Sequence, residues 1–196
     1  MNEFWKWTTR SRKGFQSAFA TQGERFALSV PTDESEKILV FEASCQANNH
    51  VWDHEIESYK PGGGTCCRGL GLSADGELLA AVLADYENQT AALCAWHLLG
   101  KPDTDSPSWP LPLDIHLKRY PIALSDDKHY IAIGCYFSIE LFSLHTSGRE
   151  KFSLEKSDSG ALVQDLAFLP SGKLLVTQRS PEAGPPAIVS IVDCND

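Results

Sequence analysis

Leu70-Gly71-Leu72-Ser73-Ala74-Asp75-Gly76-Glu77-Leu78-Leu79-Ala80-Ala81-Val82 is the stretch that decides the fold of this chain. Its two apolar runs are separated by Ala74-Asp75-Gly76. Asp-Gly between apolar runs is a strong signal for a tight turn, because glycine reaches a positive φ without steric cost. We therefore predict a β-hairpin here, with a strand, a turn at 74–76 and a second strand.

The same hairpin pattern occurs four times in the sequence. The copies span 17–28, 70–82, 122–133 and 166–177, and Lys128 replaces the turn glycine in the third copy. The turn positions 23, 76, 128 and 172 lie 53, 52 and 44 residues apart. Periods of this size are typical of solenoids, propellers and repeat arrays.

Each hairpin is followed by a third strand that ends in a large apolar residue, and we align Phe41, Trp96, Phe142 and Ile191 as equivalent. The predicted third strands are 37–41, 92–96, 139–142 and 187–191. A weaker fourth strand, with alternating apolar and polar residues, is predicted at 50–56, 113–117 and 151–154. The Pro-rich stretches 100–110 and 180–186 are predicted to be loops, and no segment carries a helix signature. Each unit therefore has about four short strands.

These units resemble divergent WD repeats of a β-propeller, and the spacing also fits the wider class of quinoprotein-like propellers. The clearest unit runs from Ile139 to Lys173. The family's Trp-Asp pair is replaced in every copy, here by Phe41-Glu42, Trp96-His97, Phe142-Ser143 and Ile191-Val192. The resemblance implies an all-β fold, a WD-like propeller or a four-blade portion of one. We expect a single domain or segment over 1–196, with blade-like hairpins near 15–44, 67–99, 119–146 and 163–196.

Four WD-like blades would leave an open arc with two bare edges, whereas such rings usually have about seven blades. Three arrangements would solve this problem. The chain is a segment of a longer propeller, or it pairs with another chain, or its ends close through a strand at Phe4-Trp5-Lys6-Trp7. The second arrangement predicts self-association through the open blade edges.

Composition limits the classes of partner. The formal net charge is −9, which disfavours nucleic acid and anionic lipid, and no apolar run approaches the roughly 20 residues of a membrane span. The six cysteines form no C-x-x-C pair, and no secretory signal precedes them, so we expect free thiols in a reducing compartment, cytoplasmic or nuclear. A surplus of basic residues in 1–25 leaves organelle import as the alternative.

The sequence offers several candidate chemical groups, and each has a simpler structural interpretation. His50 and His54 lie on a predicted strand, about 13 Å apart, too far for one metal ion. Asp126-Asp127 is typical of a turn, and neither Ser73 nor Ser125 has the context of a catalytic nucleophile. Gly62-Gly63-Gly64 is interpreted as a linker, and Cys66-Cys67 as buried thiols. We therefore expect no catalytic or metal site and no cofactor.

Four residues occupy the position two before each aligned hairpin: Phe15, Arg68, Tyr120 and Gln164. In a propeller they would lie near the start of the innermost strands, at one face. Phe, Arg and Tyr are enriched at protein–protein interfaces, although Phe15 and Tyr120 would equally suit packing between blades. The leading hypothesis is a non-catalytic scaffold or adaptor that binds a protein or peptide on this face. The alternatives are a propeller-based hydrolase, or a propeller segment of a larger sensor or trafficking protein.

Overall fold

The computed structural model describes residues 16–22, 25–31, 36–42, 52–57, 65–98, 107–112, 119–136, 138–146, 148–153, 162–179 and 188–193. Regular structure in these residues is entirely β. The strands are β1 (Ser17–Phe19), β2 (Arg25–Pro31), β3 (Glu36–Glu42), β4 (Trp52–Glu57), β5 (Thr65–Leu72), β6 (Leu78–Asp85), β7 (Thr90–His97), β8 (Ser108–Pro112), β9 (Ile122–Leu124), β10 (Tyr130–Gly134), β11 (Ser138–Ser143), β12 (Arg149–Ser153), β13 (Leu162–Phe168), β14 (Leu174–Arg179) and β15 (Ile188–Val192).

The strands form four antiparallel sheets, each in sequence order. The first sheet is β1-β2-β3-β4, the second is β5-β6-β7-β8, the third is β9-β10-β11-β12, and the fourth is β13-β14-β15 within the described residues. Three of the four predicted turns lie wholly within the described residues, and all three join the first two strands of a sheet. Gly76 and Gly172 have φ values of 75° and 81°, and Lys128 takes the same left-handed conformation at 59°. The repeated hairpin is therefore confirmed, including the position where lysine replaces glycine.

Two predicted strand assignments need correction. The fourth strand of the second sheet is Ser108–Pro112, which begins inside the predicted loop 100–110, and the predicted strand at 113–117 lies outside the described residues. Trp109 and Leu111 alternate inward while Pro110 and Pro112 face outward, an arrangement that an edge strand tolerates. The equivalence at the end of the third strands also shifts by one residue.

That shift concerns Ile191. Phe41, Trp96 and Phe142 each pair with the residue of the second strand that also pairs with the last residue of the first strand. In the fourth sheet that residue is Leu174, and its partner in the third strand is Val192. Val192 is therefore the equivalent residue. Because side chains alternate along a strand, Ile191 lies on the opposite face of its sheet.

The four sheets pack face against face in chain order, and each sheet has a leading face, toward the preceding sheet, and a trailing face, toward the next. The trailing face of the first sheet packs on the leading face of the second, and the same contact joins the second sheet to the third and the third to the fourth. The first strands β1, β5, β9 and β13 are neighbours along this stack. The core of the described chain thus consists of these three intersheet layers.

Small residues permit close approach between the first strands. A Cβ atom at Gly69 would lie 2.3 Å from the Tyr120 carbonyl oxygen, and one at Gly71 would lie 2.7 Å from side-chain carbons of Ile122 and Leu124. Glycine is required here by the neighbouring sheet, since real Cβ contacts are not this short.

Polar contacts tie the sheets together at the end where the hairpin turns lie, which we call the lower end. The Gln22 amide donates to the Ala74 carbonyl over 2.8 Å. The Lys128 ammonium of the third sheet pairs with Asp75 and Glu77 of the second. These contacts fix the order and spacing of neighbouring sheets.

Candidate functional site

The opposite end of the stack, where β1, β5, β9 and β13 begin, is called the upper end. Two of these first strands carry a β-bulge, between Cys67 and Gly69 and between Val163 and Asp165. The residues skipped in the pairing are Arg68 and Gln164. Bulges commonly re-aim a side chain at the edge of a sheet. The alignment made from the sequence therefore placed these two residues at structurally equivalent points.

Arg68 and Gln164 differ in exposure. Gln164 is exposed, and Arg68 is half-buried with its guanidinium carbon 4.8 Å from the centre of the Tyr86 ring. This distance is in the range of a cation–π contact. Arg68 also accepts a hydrogen bond at its carbonyl from the Tyr120 amide over 2.7 Å, which joins the second and third sheets.

Tyr120 packs between sheets, in agreement with the alternative interpretation of this residue. It is 2% exposed and belongs to the layer between the second and third sheets. Its hydroxyl approaches the Pro112 carbonyl at 3.5 Å. Tyr120 can therefore position the upper end but presents almost no surface to a partner. Phe15 lies outside the described residues.

Two residues at the upper end were not found from the sequence. Tyr86 follows β6 and lies under Arg68, and Tyr136 belongs to the connection between β10 and β11. The Tyr136 carbonyl accepts a hydrogen bond from the Val163 amide over 3.4 Å, which joins the third sheet to the fourth beside Gln164. No repeat pattern marks either tyrosine, but the pairing register brings both connections to this end.

The vicinal cysteines at the start of β5 point in opposite directions. Cys66 packs with Tyr86 on the layer toward the third sheet, whereas Cys67 is buried in the layer toward the first. Burial raises the pKa of the Cys66 thiol, and the nearby Arg68 guanidinium opposes that rise without cancelling it. Burial also raises the pKa of Cys67, and the Glu36 carboxylate adds to the effect. Both are free thiols in the structure.

A buried carboxylate accepts a backbone hydrogen bond at the bulge in β5. Glu36, at the start of β3, is 5% exposed, and its Oε2 accepts a hydrogen bond of 2.6 Å from the Cys67 amide. The bulge disrupts the regular ladder beside Cys67, and a buried amide without an acceptor is costly. Glu36 thus holds the first sheet against the second at the upper end.

The connection between β6 and β7, also at the upper end, is ordered by Asp85. Its Oδ1 accepts from the amides of Glu87 and Asn88, each over 3.0 Å, and its Oδ2 accepts from the Asn88 side chain over 2.8 Å. Gln89 closes this turn with φ at 53°. Tyr86 is therefore held on a braced turn.

Among the other candidate groups, the described serines and aspartates belong to the hairpin turns. The Ser73 hydroxyl bonds to the Asp75 carboxylate and accepts from the Leu78 amide, and Ser125 does the same with Asp127 and the Tyr130 amide. Asp126 and Asp127 form the turn of the third hairpin. Residues 52–57, which include His54, form β4, whereas His50 and Gly62-Gly63-Gly64 lie outside the described residues.

Within the described ranges, no group of three or more His, Cys, Asp or Glu side chains could hold a metal ion. The same ranges contain no helix long and apolar enough to cross a membrane.

Known proteins are similar to this chain in structure. No family model matches the sequence, and no curated protein matches it. The C-terminal WD40 domain of Sif2 superimposes with a TM-score of 0.55 at 11% identity, over 91% of this chain and 57% of that one. The fold is that of a β-propeller. A structure from a study of two prolyl endopeptidases superimposes with a TM-score of 0.57 at 12% identity, over 89% of this chain and 27% of that one.

The four described sheets are therefore blades, and the first strand of each is the innermost. At these identities the likeness shows the fold alone. The chain spans about half of the WD40 chain and about a quarter of the endopeptidase chain.

Proposed function

We propose that this chain is a non-catalytic scaffold or adaptor module that binds a protein or peptide on the upper end of its blades. The observation that carries the proposal is the equivalence of Arg68 and Gln164. Both are bulge residues at the start of innermost strands, and both sit beside a hydrogen bond that joins neighbouring blades. The likeness to a WD40 domain agrees with a module that engages protein partners.

The physical properties of this end suit partner binding. Arginine and tyrosine are the residue types that most often carry binding energy at protein interfaces. Arg68 is stacked on Tyr86, and the turn that carries Tyr86 is braced by Asp85. A surface whose side chains are already ordered loses less conformational entropy when a partner binds.

A propeller-based hydrolase is the second candidate function. The likeness to a structure from a study of prolyl endopeptidases supports it, because propellers occur in hydrolases as well as in binding modules. The serines and carboxylates described at the lower end are committed to turns, which favours the binding module. A propeller segment of a larger sensor or trafficking protein would use the same upper end. We propose a reducing compartment, cytoplasmic or nuclear, which agrees with the free thiols of Cys66, Cys67 and Cys94.

The test compares partner recovery by immobilised wild-type chain and three variants, using quantitative mass spectrometry of the captured proteins. Gln164→Arg and Arg68→Glu alter the upper end. Asp126→Lys alters an exposed turn at the lower end and serves as the control. Thermal unfolding followed by circular dichroism identifies variants that remain folded.

The proposal predicts that Gln164→Arg reduces recovery of a defined set of proteins by about tenfold, the loss typical of an interface residue worth 1–2 kcal/mol. The Asp126→Lys control should retain that set. Equal recovery by both folded variants, or loss only in the control, would refute the upper end as the binding face. Arg68→Glu should also reduce recovery of this set, and its result counts if the variant has the wild-type melting temperature.

A further inference from the structure

Three arginines lie at the upper end, one on each of the second, third and fourth blades. Arg68 is the bulge residue of β5, Arg119 comes directly before Tyr120 at the start of the third blade, and Arg179 is the last residue of β14. Arg179 pairs with Leu162, the first residue of β13. Three successive blades therefore each place an arginine at this end.

Backbone contacts bring these parts of the three blades together. The amide that follows Arg119 in the chain donates to the Arg68 carbonyl over 2.7 Å. The Gly134 amide donates to the Pro121 carbonyl over 2.9 Å, and a Cβ atom at Gly134 would lie 2.5 Å from a side-chain carbon of Val163. The starts of β5, β9 and β13 are therefore neighbours, and the three arginines belong to one surface.

The basic side chains at the two ends of the blades differ in their partners. At the lower end, Lys128 and Lys173 each pair with nearby carboxylates. At the upper end, Arg119 and Arg179 are exposed, and neither forms an ion pair with any side chain that the structure describes. The positive charges of the lower end are thus neutralised within the fold, whereas these two charges of the upper end are not.

The described carboxylates of the upper end do not pair with these two arginines. Glu36 and Asp85 are buried, and each accepts hydrogen bonds from backbone amides. Glu87 and Asp165 are exposed and form no ion pair within the described residues. The two exposed arginines can therefore pair with carboxylates of a partner.

We infer that the partner bound at the upper end is a short acidic peptide segment, whose carboxylates pair with Arg68, Arg119 and Arg179. This inference rests on the proposed function and names the chemistry of its partner. A guanidinium group binds a carboxylate through two parallel hydrogen bonds, which gives direction as well as attraction. Arg68 is already held with its guanidinium carbon 4.8 Å from the centre of the Tyr86 ring, so it loses less freedom when it pairs.

The charge of the whole chain limits the size of the acidic partner. The formal net charge is −9, so a long polyanion or an anionic membrane would be repelled by most of the molecule. A short peptide that crosses the starts of three blades meets the arginines without extending far over the acidic remainder. Electrostatic complementarity of this local kind favours one partner over others and speeds its association.

The test is the binding of a short fluorescein-labelled peptide of alternating glutamate and glycine to the full chain, measured by fluorescence anisotropy at two salt concentrations. A peptide with glutamine in place of glutamate is the control for charge. Arg119→Gln/Arg179→Gln removes positive charge from the upper end. Ser171→Glu/Thr146→Glu changes the net charge by the same amount at the lower end and is the matched control. All four side chains are exposed, so both double variants should keep the wild-type melting temperature.

Wild type should bind the glutamate peptide and not the glutamine peptide, and added salt should weaken the binding because it screens exposed charges. Arg119→Gln/Arg179→Gln should weaken it by about tenfold, and the lower-end control by less than about twofold. Equal binding by wild type and the arginine variant, equal binding of the two peptides, or no binding of the glutamate peptide would overturn the inference. Tighter, arginine-dependent binding of a single-stranded oligonucleotide of equal charge would overturn it in favour of nucleic acid.

Capture of cellular proteins separates a failure of this inference from a failure of the proposed function. If Arg119→Gln/Arg179→Gln recovers the same set as wild type while Gln164→Arg loses it, the upper end binds a partner that is not acidic, and only this inference fails. If no captured set depends on the upper end, the proposed function fails as well. Gln164→Arg does not test the charge of the partner, because its longer side chain obstructs the surface while its added charge attracts carboxylates.

Discussion

The close approach of the second and third blades makes Gly69→Ala a demanding test of the fold. The added methyl group would lie 2.3 Å from the Tyr120 carbonyl oxygen, which is a backbone atom and cannot rotate away. Gly69 is not among the described glycines with positive φ, so the missing side chain and not the backbone conformation requires glycine here. One of the two blades must therefore move.

The magnitude follows from the contacts that this movement disturbs. Overpacking a well-packed interior costs about 1–3 kcal/mol. Displacement of the Tyr120 backbone also weakens its 2.7 Å hydrogen bond to Arg68, which is worth about 1 kcal/mol. We expect a loss of about 3 kcal/mol in the free energy of unfolding. With a urea m-value of about 2 kcal/mol/M, the midpoint should fall by about 1.5 M.

The assay is urea unfolding followed by circular dichroism and tryptophan fluorescence, with Gly148→Ala as the matched control. A Cβ atom at Gly148 would lie 3.0 Å from the Thr146 hydroxyl, which belongs to an exposed side chain that can move. The control should change stability by less than about 1 kcal/mol. A Gly69→Ala midpoint within 0.3 M of wild type, a margin of roughly 0.6 kcal/mol at this m-value, would refute the interblade packing described here.

The remaining predictions concern the polar ties between blades. Glu36→Ala should destabilise the fold by about 1–3 kcal/mol, because the buried Cys67 amide loses its acceptor, and Glu36→Gln should cost less; urea midpoints at pH 7 compare them, and equal losses would contradict this role. Burial raises the pKa of Asp75, but hydrogen bonds from Lys128 and neighbouring groups outweigh it and hold the pKa at about 2. Since the folded pKa of Asp75 lies below its usual value of about 3.9, the ionised carboxylate should add to the free energy of unfolding above pH 4. This contribution should disappear as the pH falls toward 2. The urea midpoint should fall as the pH is lowered through this range, and Asp75→Asn should make that fall smaller. An unchanged fall in the variant would argue against the ion pair between Asp75 and Lys128. Lys128→Gly should be about 1 kcal/mol more stable than Lys128→Ala, because both lose the ion pairs but only glycine fits φ of 59° freely. Equal melting temperatures of these two variants would be inconsistent with that strain.

The hairpin signals identified most of the fold in advance. Asp-Gly and Ser-Gly turns specify their geometry locally, so Gly76 and Gly172 could be placed from the sequence. The strand at Ser108–Pro112 could not be predicted from the sequence, because proline normally argues against a strand. Its prolines are tolerated only because β8 lies at the edge of its sheet. The one-residue error at Ile191 has a similar origin, since only pairing with β14 fixes which face each residue occupies.

The candidate site was predictable only in part. The repeat alignment found Arg68 and Gln164, because equivalent positions in a repeat occupy equivalent places in the fold. The alignment also grouped Tyr120 with these two residues. Tyr120 differs from them because no bulge is found in the pairing of β9 and because its ring is buried between blades. Tyr86 was invisible to the alignment, since its proximity to Arg68 depends on the length of a turn and on the register of β5 against β6.

The most direct test of the proposed binding face is photocrosslinking from each end of the propeller. A photoreactive amino acid would replace Gln164 at the upper end or Asp126 at the lower end, both exposed, in otherwise wild-type chains expressed in cells. We expect discrete crosslinked proteins from position 164 that are absent from position 126 and that become weaker when Arg68→Glu is added. Crosslinks confined to position 126, or identical from both positions, would contradict it.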